Sequence, residues 1–148
     1  MARVELQKIK IRYLPRLIIL SEEKEVSTKL EGSLIFYLLT EIKNYLKLSP
    51  PKRRAIFYNG VSVGTIAFVN VKNGSAEVGY FIGKDYWNKG IATIALKKML
   101  LFGFNKIGLK KIYAHTNKNN LNSQKVLLKN KFIMKKSGGE KLYFEKLK

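Results

Sequence analysis

The chain has 148 residues, 46% hydrophobic and 11% aromatic, which fits one folded domain over residues 1–148 and excludes a disordered chain. Lys and Arg number 29 against 10 Asp and Glu, a formal charge of +19, so an anionic partner such as RNA, the ribosome or a phosphate-bearing ligand is expected, beside the plainer reading of lysine as a solvating surface. With no cysteine and one histidine, His115, the chain excludes thiol nucleophiles, disulfides and the usual zinc centres, and no metal is expected.

In chain order, ELQKIKIRYL (Glu5–Leu14) alternates charged and apolar residues and predicts a first strand. SEEKEVSTKLEGSLIFYLLTEIKNYLKL (Ser21–Leu48) predicts one or two helices, interrupted near Gly32 and stopped by SPPKRR. RAIFY, the turn Asn59-Gly60 and VSVGTIAFVNV predict a hairpin, because Asn and Gly accept the positive φ of tight hairpin turns. NGS then turns the chain into a further strand, AEVGYFIG (Ala76–Gly83).

From Asn88 the apolar period lengthens to that of a helix, with Ala92, Ala95, Leu96, Met99, Leu100, Phe104 and Ile107 on one stripe. LKKIYAHT (Leu109–Thr116) predicts a strand and NNLNSQKVLLKN a helix capped by Asn or Ser. KFIMKKS and KLYFEKL close the chain as a pair around GGE. The order β, α, α, β, β, β, α, β, α, β, β gives an α+β fold with a mixed, mainly antiparallel sheet.

The longest apolar runs, LIIL and LIFYLL, fall far short of the roughly 20 residues that cross a bilayer, and the N-terminus lacks the apolar core of a signal peptide. A cytoplasmic protein with no membrane partner is expected. Half of the acids lie between Glu22 and Glu41 and none between Tyr86 and Gly139, where about a dozen lysines and no arginine occur. The acid-free stretch suits diffuse attraction of phosphate, and the early segment is the better host for a cationic group.

KDYWNKGIATIALKKMLLFGF (Lys84–Phe104) sets Gly90 at the junction of a loop and a helix. The first amides of a helix lack internal partners and face outward, so an anion can rest there, and a glycine lets it approach the backbone; the alternative reading is a glycine that serves local geometry alone.

These residues carry a resemblance. WNKGIA is similar to the pyrophosphate-loop pattern of the GNAT superfamily of acetyl-CoA-dependent N-acetyltransferases, with Gly90 and Ala92 in register and Trp87 where Arg or Gln is usual. The second pattern, Asn, two residues, Ser and an apolar helix, maps to Asn120, Ser123, Val126, Leu127, Leu128 and Phe132, with Lys131 where glycine is usual and hence a less strained connection expected. The resemblance runs from about Arg53 to the C-terminus and looks most like the RimJ/RimL branch, the ribosomal-protein N-terminal acetyltransferases. Met1–Lys52 matches only in element order.

The resemblance implies a GNAT-like sheet of about six or seven strands with helices on both faces, and a splayed parallel pair holding acetyl-CoA, with CoA as product. It implies pantetheine contacts at Phe81 and Ile82 and a diphosphate on the amides of Asn88, Lys89, Gly90, Ile91, Ala92 and Thr93. Trp87 either stacks near the cofactor or anchors the loop; Asn120 either orients the pantetheine or caps its helix. Glu77 is expected to take the proton of the amine, directly or through water, or else to pair with a surface lysine. Gly79 would leave room for the acetyl group, a backbone amide near Phe81 would meet the developing oxyanion, and Ser123 would donate toward the leaving sulfur or simply serve the helix start.

Tyr80, Tyr86 and Tyr143 are further proton donors by residue type, Tyr80 reading as core because it alternates with Val78 and Ile82. His115 reads as structural or solvent-facing. Two functions follow: an N-acetyltransferase acting on a primary amine, foremost a protein N-terminus but also a polyamine, antibiotic or amino acid; or an RNA- or ribosome-binding module without catalysis. The oligomeric state, monomer or homodimer, is left open.

Overall fold

The fold was obtained as a computed structural model, and residues 2–27 and 52–148 are described. Seven strands form one sheet in the order β1-β2-β3-β4-β5-β7-β6. They are β1 (Val4–Lys8), β2 (Arg53–Tyr58), β3 (Val61–Lys72), β4 (Ser75–Ile82), β5 (Lys111–Asn117), β6 (Ile133–Gly138) and β7 (Lys141–Leu147). Every neighbouring pair is antiparallel except β4 and β5.

The hairpin of β2 and β3 turns at Asn59 and Gly60, with φ of 49° and 82°. Two successive positive φ values give the turn whose twist matches the strands, as the Asn-Gly pair predicts. Helices α1 (Leu14–Glu22) and α2 (Lys24–Ser27) cover one face of the sheet. Leu17 packs there with Ala55 and Phe57, while Leu20 and Val26 pack on Phe81.

Helices α3 (Ile91–Phe102) and α4 (Leu121–Lys129) cover the other face. Ile91, Ala95, Leu96, Met99 and Leu100 are the buried residues of α3, close to the expected stripe. They join Ile66, Val78, Ile112, Leu127 and Phe144 in the main core, where each fully buried aliphatic side chain contributes about 1.5–3 kcal/mol.

Three expectations are corrected or bounded. The first strand ends at Lys8 instead of reaching Leu14, and the next residues form a 3-10 turn (Ile11–Tyr13) and α1. Pro15 lies in the first turn of α1, where its missing N–H costs nothing, and Leu17 and Leu20 supply a buried stripe one turn apart. The remainder of the helical expectation, including the break near Gly32, lies outside the described residues. Lys131 has φ +62°, so the turn after α4 keeps the left-handed backbone that glycine usually supplies.

Candidate active site

The single parallel pairing creates the site. β4 and β5 are in register only at Ser75↔Lys111, Ala76↔Ile112 and Glu77↔Tyr113, after which β4 runs on to Ile82 and β5 to Asn117 apart from each other. The gap leaves main-chain groups of both strands facing it. Gly83 N–H donates to Val63 O on β3, and alternation along an antiparallel ladder therefore turns Phe81 and Gly79 toward β3 and Ile82 and Tyr80 toward the gap.

At the wide end of the gap lies a cavity of about 370 Å³, bounded by β4, α3 and α4. Phe81, Ile82, Trp87, Asn88, Gly90, Ile91, Ala92, Thr93, Asn120 and Ser123 all line it, so the two separate sequence patterns meet at one place. Lys89 is the exception among the predicted cofactor residues. Its Nζ donates to Asp85 O at 2.9 Å and sits 5.4 Å from the centre of the Tyr86 ring.

Gly90 caps α3 with φ +73°, and a Cβ built on it would meet nothing within 4 Å. Asn88 is also left-handed, with φ +60°. The backbone therefore reverses twice just before the outward-facing amides of α3, a concave arrangement suited to an anion. Lys125 and Lys129 of α4 border the same cavity. The residues present fit the diphosphate of a coenzyme A.

Trp87 both lines this cavity and anchors the loop, since its Nε1–H donates to Ile82 O at 2.7 Å and its ring packs with Leu20, Val26 and Phe81. Asn120 caps α4, its Oδ1 accepting from Ser123 N–H at 3.3 Å. The Ser123 hydroxyl is turned elsewhere. It lies 3.1 Å from the Tyr80 hydroxyl, and this pair forms the wall where the large cavity meets a second one.

The second cavity, about 170 Å³, is lined by Glu77, Gly79, Tyr80, His115, Asn117 and Ser123 among others. A Cβ at Gly79 would meet nothing within 4 Å, so that side is open as expected. Glu77 Oε2 accepts from Asn70 Nδ2 at 2.8 Å, and its Oε1 is 2.7 Å from His115 Nδ1. Its partners are thus a histidine and an asparagine, in place of the surface lysine.

Sequence reasoning assigned Tyr80 to the core and set His115 aside, and both border the site. Tyr80 does pack against the core, but its hydroxyl reaches Ser123, and burial pushes its pKa up to about 12 against the lowering effect of the Ser123 hydrogen bond. Tyr86 lines the large cavity and accepts from Arg16 Nη2 at 2.9 Å. His115 stands two residues after Tyr113 on β5, which pairs with Glu77 across the parallel ladder, a register that no signal in the sequence alone supplies.

The profile of the acetyltransferase (GNAT) domain family matches residues 3–133. The chain belongs to the GNAT acetyltransferase family. Among curated proteins, this GNAT chain is 37% identical over 67 residues to the uncharacterized N-acetyltransferase p20 of Bacillus licheniformis, covering 44% of the chain and 38% of that relative. The matched part thus spans under two fifths of the relative's length. Among solved structures, Mycobacterium smegmatis RimJ in complex with CoA-disulfide superposes with a TM-score of 0.81 at 19% identity, over 97% of this chain and 81% of that one. Campylobacter jejuni N-acetyltransferase PseH in complex with acetyl coenzyme A gives 0.73 at 17%, over 98% and 99%. The GNAT fold, a seven-stranded mixed sheet with one parallel pair, is shared with these proteins.

Proposed function

We propose that the protein transfers an acetyl group from acetyl-CoA to a primary amine, by direct attack within a ternary complex, and that the preferred amine is a protein N-terminus. The observation that carries this reading is the continuity of the site. The Gly90 cradle, the Ser123–Tyr80 pair and Glu77 follow one another along a single gap between β4 and β5. The neighbours bound to CoA-disulfide and to acetyl-CoA support the choice of ligand.

Acetyl-CoA, when bound, supplies an activated thioester. The amides from Asn88 to Thr93 hold its anionic end, with Lys125 and Lys129 adding positive charge at the rim. Main-chain groups of Tyr80 and Ile82 align the pantetheine in the manner of an added strand. Glu77 supplies the negative charge toward which the amine proton moves, and Gly79 leaves room for the acetyl group. The Tyr80 and Ser123 hydroxyls donate toward the leaving sulfur.

The N-terminal amine is favoured by charge. A body at +19 repels polycations at long range, and the same field favours the neutral, reactive form of an amine. An α-amine, which titrates near 8, needs less such help than a lysine near 10.4. Similarity to the RimJ/RimL branch, in the pattern of WNKGIA, points the same way and gives the basic surface a use at the ribosome.

Calorimetric titration at two salt concentrations tests the reading, with acetyl-CoA, desulfo-CoA and ATP as ligands. Acetyl-CoA binding that survives salt and exceeds that of ATP is expected. Weak, unselective binding that salt abolishes would leave only a basic surface, and RNA would become the ligand to test.

A further inference from the structure

We propose that the end of the sheet remote from the cofactor cavity is a docking face for the phosphate backbone of duplex RNA, built by Lys72, Lys106, Lys110, Lys111 and Lys146. The choice of RNA rests on the acceptor reading above, since an enzyme that modifies new chain ends works among ribosomal RNA. The face itself stands on its own geometry.

Main-chain bonds draw these lysines together from separate parts of the sequence. Gly74 O, in the turn between β3 and β4, accepts from Lys110 N–H at 2.7 Å and from Lys111 N–H at 3.2 Å. Lys72, the last residue of β3, is opposite Ser75, and Ser75 is opposite Lys111. Lys146 of β7 is opposite Ile112, and Lys106 belongs to the turn Gly103–Ile107 that carries the chain from α3 toward β5. The stem of Lys110 lies over the β3–β4 turn, since a Cβ built on Gly74 would be 3.6 Å from its Cγ, and the ammonium group is carried outward.

Charge is gathered here without local compensation. Lys72, Lys106 and Lys110 are exposed and Lys111 and Lys146 half-buried, and among the described residues none of the five ammonium groups pairs with a carboxylate. The carboxylates of the adjoining strands, Glu77 and Glu145, stand further in, level with Tyr113, and are engaged by Asn70 and Lys135. Like charges brought together weaken the fold, and a polyanion turns that cost into attraction.

The face is separate from the diphosphate cradle. The cavity lies at the Ile82 end of β4 and the lysines at its Ser75 end, so the eight residues of the strand, at about 3.3 Å each, hold them roughly 23 Å apart. These lysines therefore do not serve the anionic end of the cofactor, and a nucleic acid docked on them leaves the gap between β4 and β5 open.

The side chains also select the kind of anion. Lysine is a point charge without the planar fork that reads base edges, so its contacts are to phosphates and independent of sequence. Tyr113, the aromatic residue of β5 beside the cluster, is half-buried, so unpaired bases gain no stacking platform from it and a duplex is favoured. Among the described residues, Leu147 is the one large apolar residue exposed at these strand ends, too little for the apolar face by which a protein enters a lipid surface.

Fluorescence anisotropy of a labelled RNA hairpin, titrated with the full chain at physiological salt and without acetyl-CoA, tests the face. The triple variant Lys72→Gln, Lys110→Gln, Lys111→Gln is compared with Lys97→Gln, Lys98→Gln, Lys118→Gln, which removes the same charge from exposed positions elsewhere. The first is expected to weaken binding about tenfold or more and to lower the slope of log Kd against log salt by about two to three, and the second to weaken it less than about threefold. Equal weakening by both would reduce the face to diffuse attraction and overturn it. On wild type alone, with no variant to fold, acylation of lysines by an N-hydroxysuccinimide ester is read by mass spectrometry. The hairpin is expected to protect Lys110 and Lys111 and to leave Lys97 and Lys98 reactive; the reverse pattern overturns the face. Tighter binding to a DNA duplex of the same length, or to vesicles of anionic phospholipid, overturns RNA as the partner. Acetyl transfer to a short peptide is expected unchanged in both triple variants; its absence in wild type would overturn the acetyltransferase reading, while the RNA titration decides the face independently.

Discussion

The hydroxyl oxygens of Tyr80 on β4 and Ser123 on α4 stand 3.1 Å apart, joining the strand that edges the gap to the helix that covers it. Burial raises the Tyr80 pKa to about 12, so the phenol keeps its proton throughout the neutral range. Tyr80→Phe and Ser123→Ala are each expected to lower kcat about 10–100-fold while leaving the KM for acetyl-CoA within about twofold, as removal of a proton donor does. Steady-state kinetics checks both. A rise in KM at constant kcat would mean that the pair only shapes the binding cavity.

The sign of the pH effect follows from the raised value. The fold favours the neutral phenol, so the stability linked to Tyr80 is fully present below the ordinary tyrosine range near 10 and is lost as pH rises toward about 12. Tyr80→Phe is expected to remove this alkaline loss. Denaturant titrations of both proteins at pH 8 and above pH 10 check it.

Gly90 combines a φ of +73° with open space where its Cβ would be. Gly90→Val is expected to cost about 1–2 kcal/mol of stability through backbone strain. Its larger effect is on ligand: a side chain in the cradle is expected to weaken acetyl-CoA binding about tenfold or more, because it displaces the anion from the amides. Calorimetry beside a denaturant titration separates the two effects.

Gly64 is needed for a different reason. A Cβ there would lie 2.0 Å from Phe81 O on the neighbouring strand, a backbone atom that cannot step aside. Gly64→Ala is expected to destabilise the protein by about 3 kcal/mol or more through overpacking. Lys131→Gly is the opposite case, relieving a left-handed residue at φ +62°. It is expected to stabilise by about 0.5–1 kcal/mol, after the extra freedom of the unfolded glycine is counted, with acetyl transfer unchanged.

Much of the fold was legible because local chemistry and tertiary structure agree. Asn59-Gly60 forms its hairpin turn, the α3 stripe is buried, and both family patterns face one cavity. α1 was not legible, since the alternation of ELQKIKIRYL continues past the point where β1 loses its pairing partner: Lys8 faces Arg54 as the last step of the ladder. Helix formation there depends on Leu17 and Leu20 finding Ala55, Phe57 and Phe81, which are distant in sequence. The placement of His115 and Tyr80 beside the site was not legible for the same reason: their neighbours Glu77 and Ser123 are 38 and 43 residues away and come close only through the pairing of β4 with β5 and the packing of α4 on the sheet.

The most direct measurement is acetyl transfer from acetyl-CoA to a pair of otherwise identical peptides, one with a free N-terminus and no lysine, the other with a blocked N-terminus and one lysine. Mass spectrometry reads the product, and Gly90→Val serves as the control for the cofactor cradle. The account predicts acetylation of the free N-terminus, slowed in Gly90→Val and much weaker on the lysine. Acetylation of the lysine peptide alone would contradict the acceptor, and transfer to neither peptide, nor to any small amine, would contradict the enzyme.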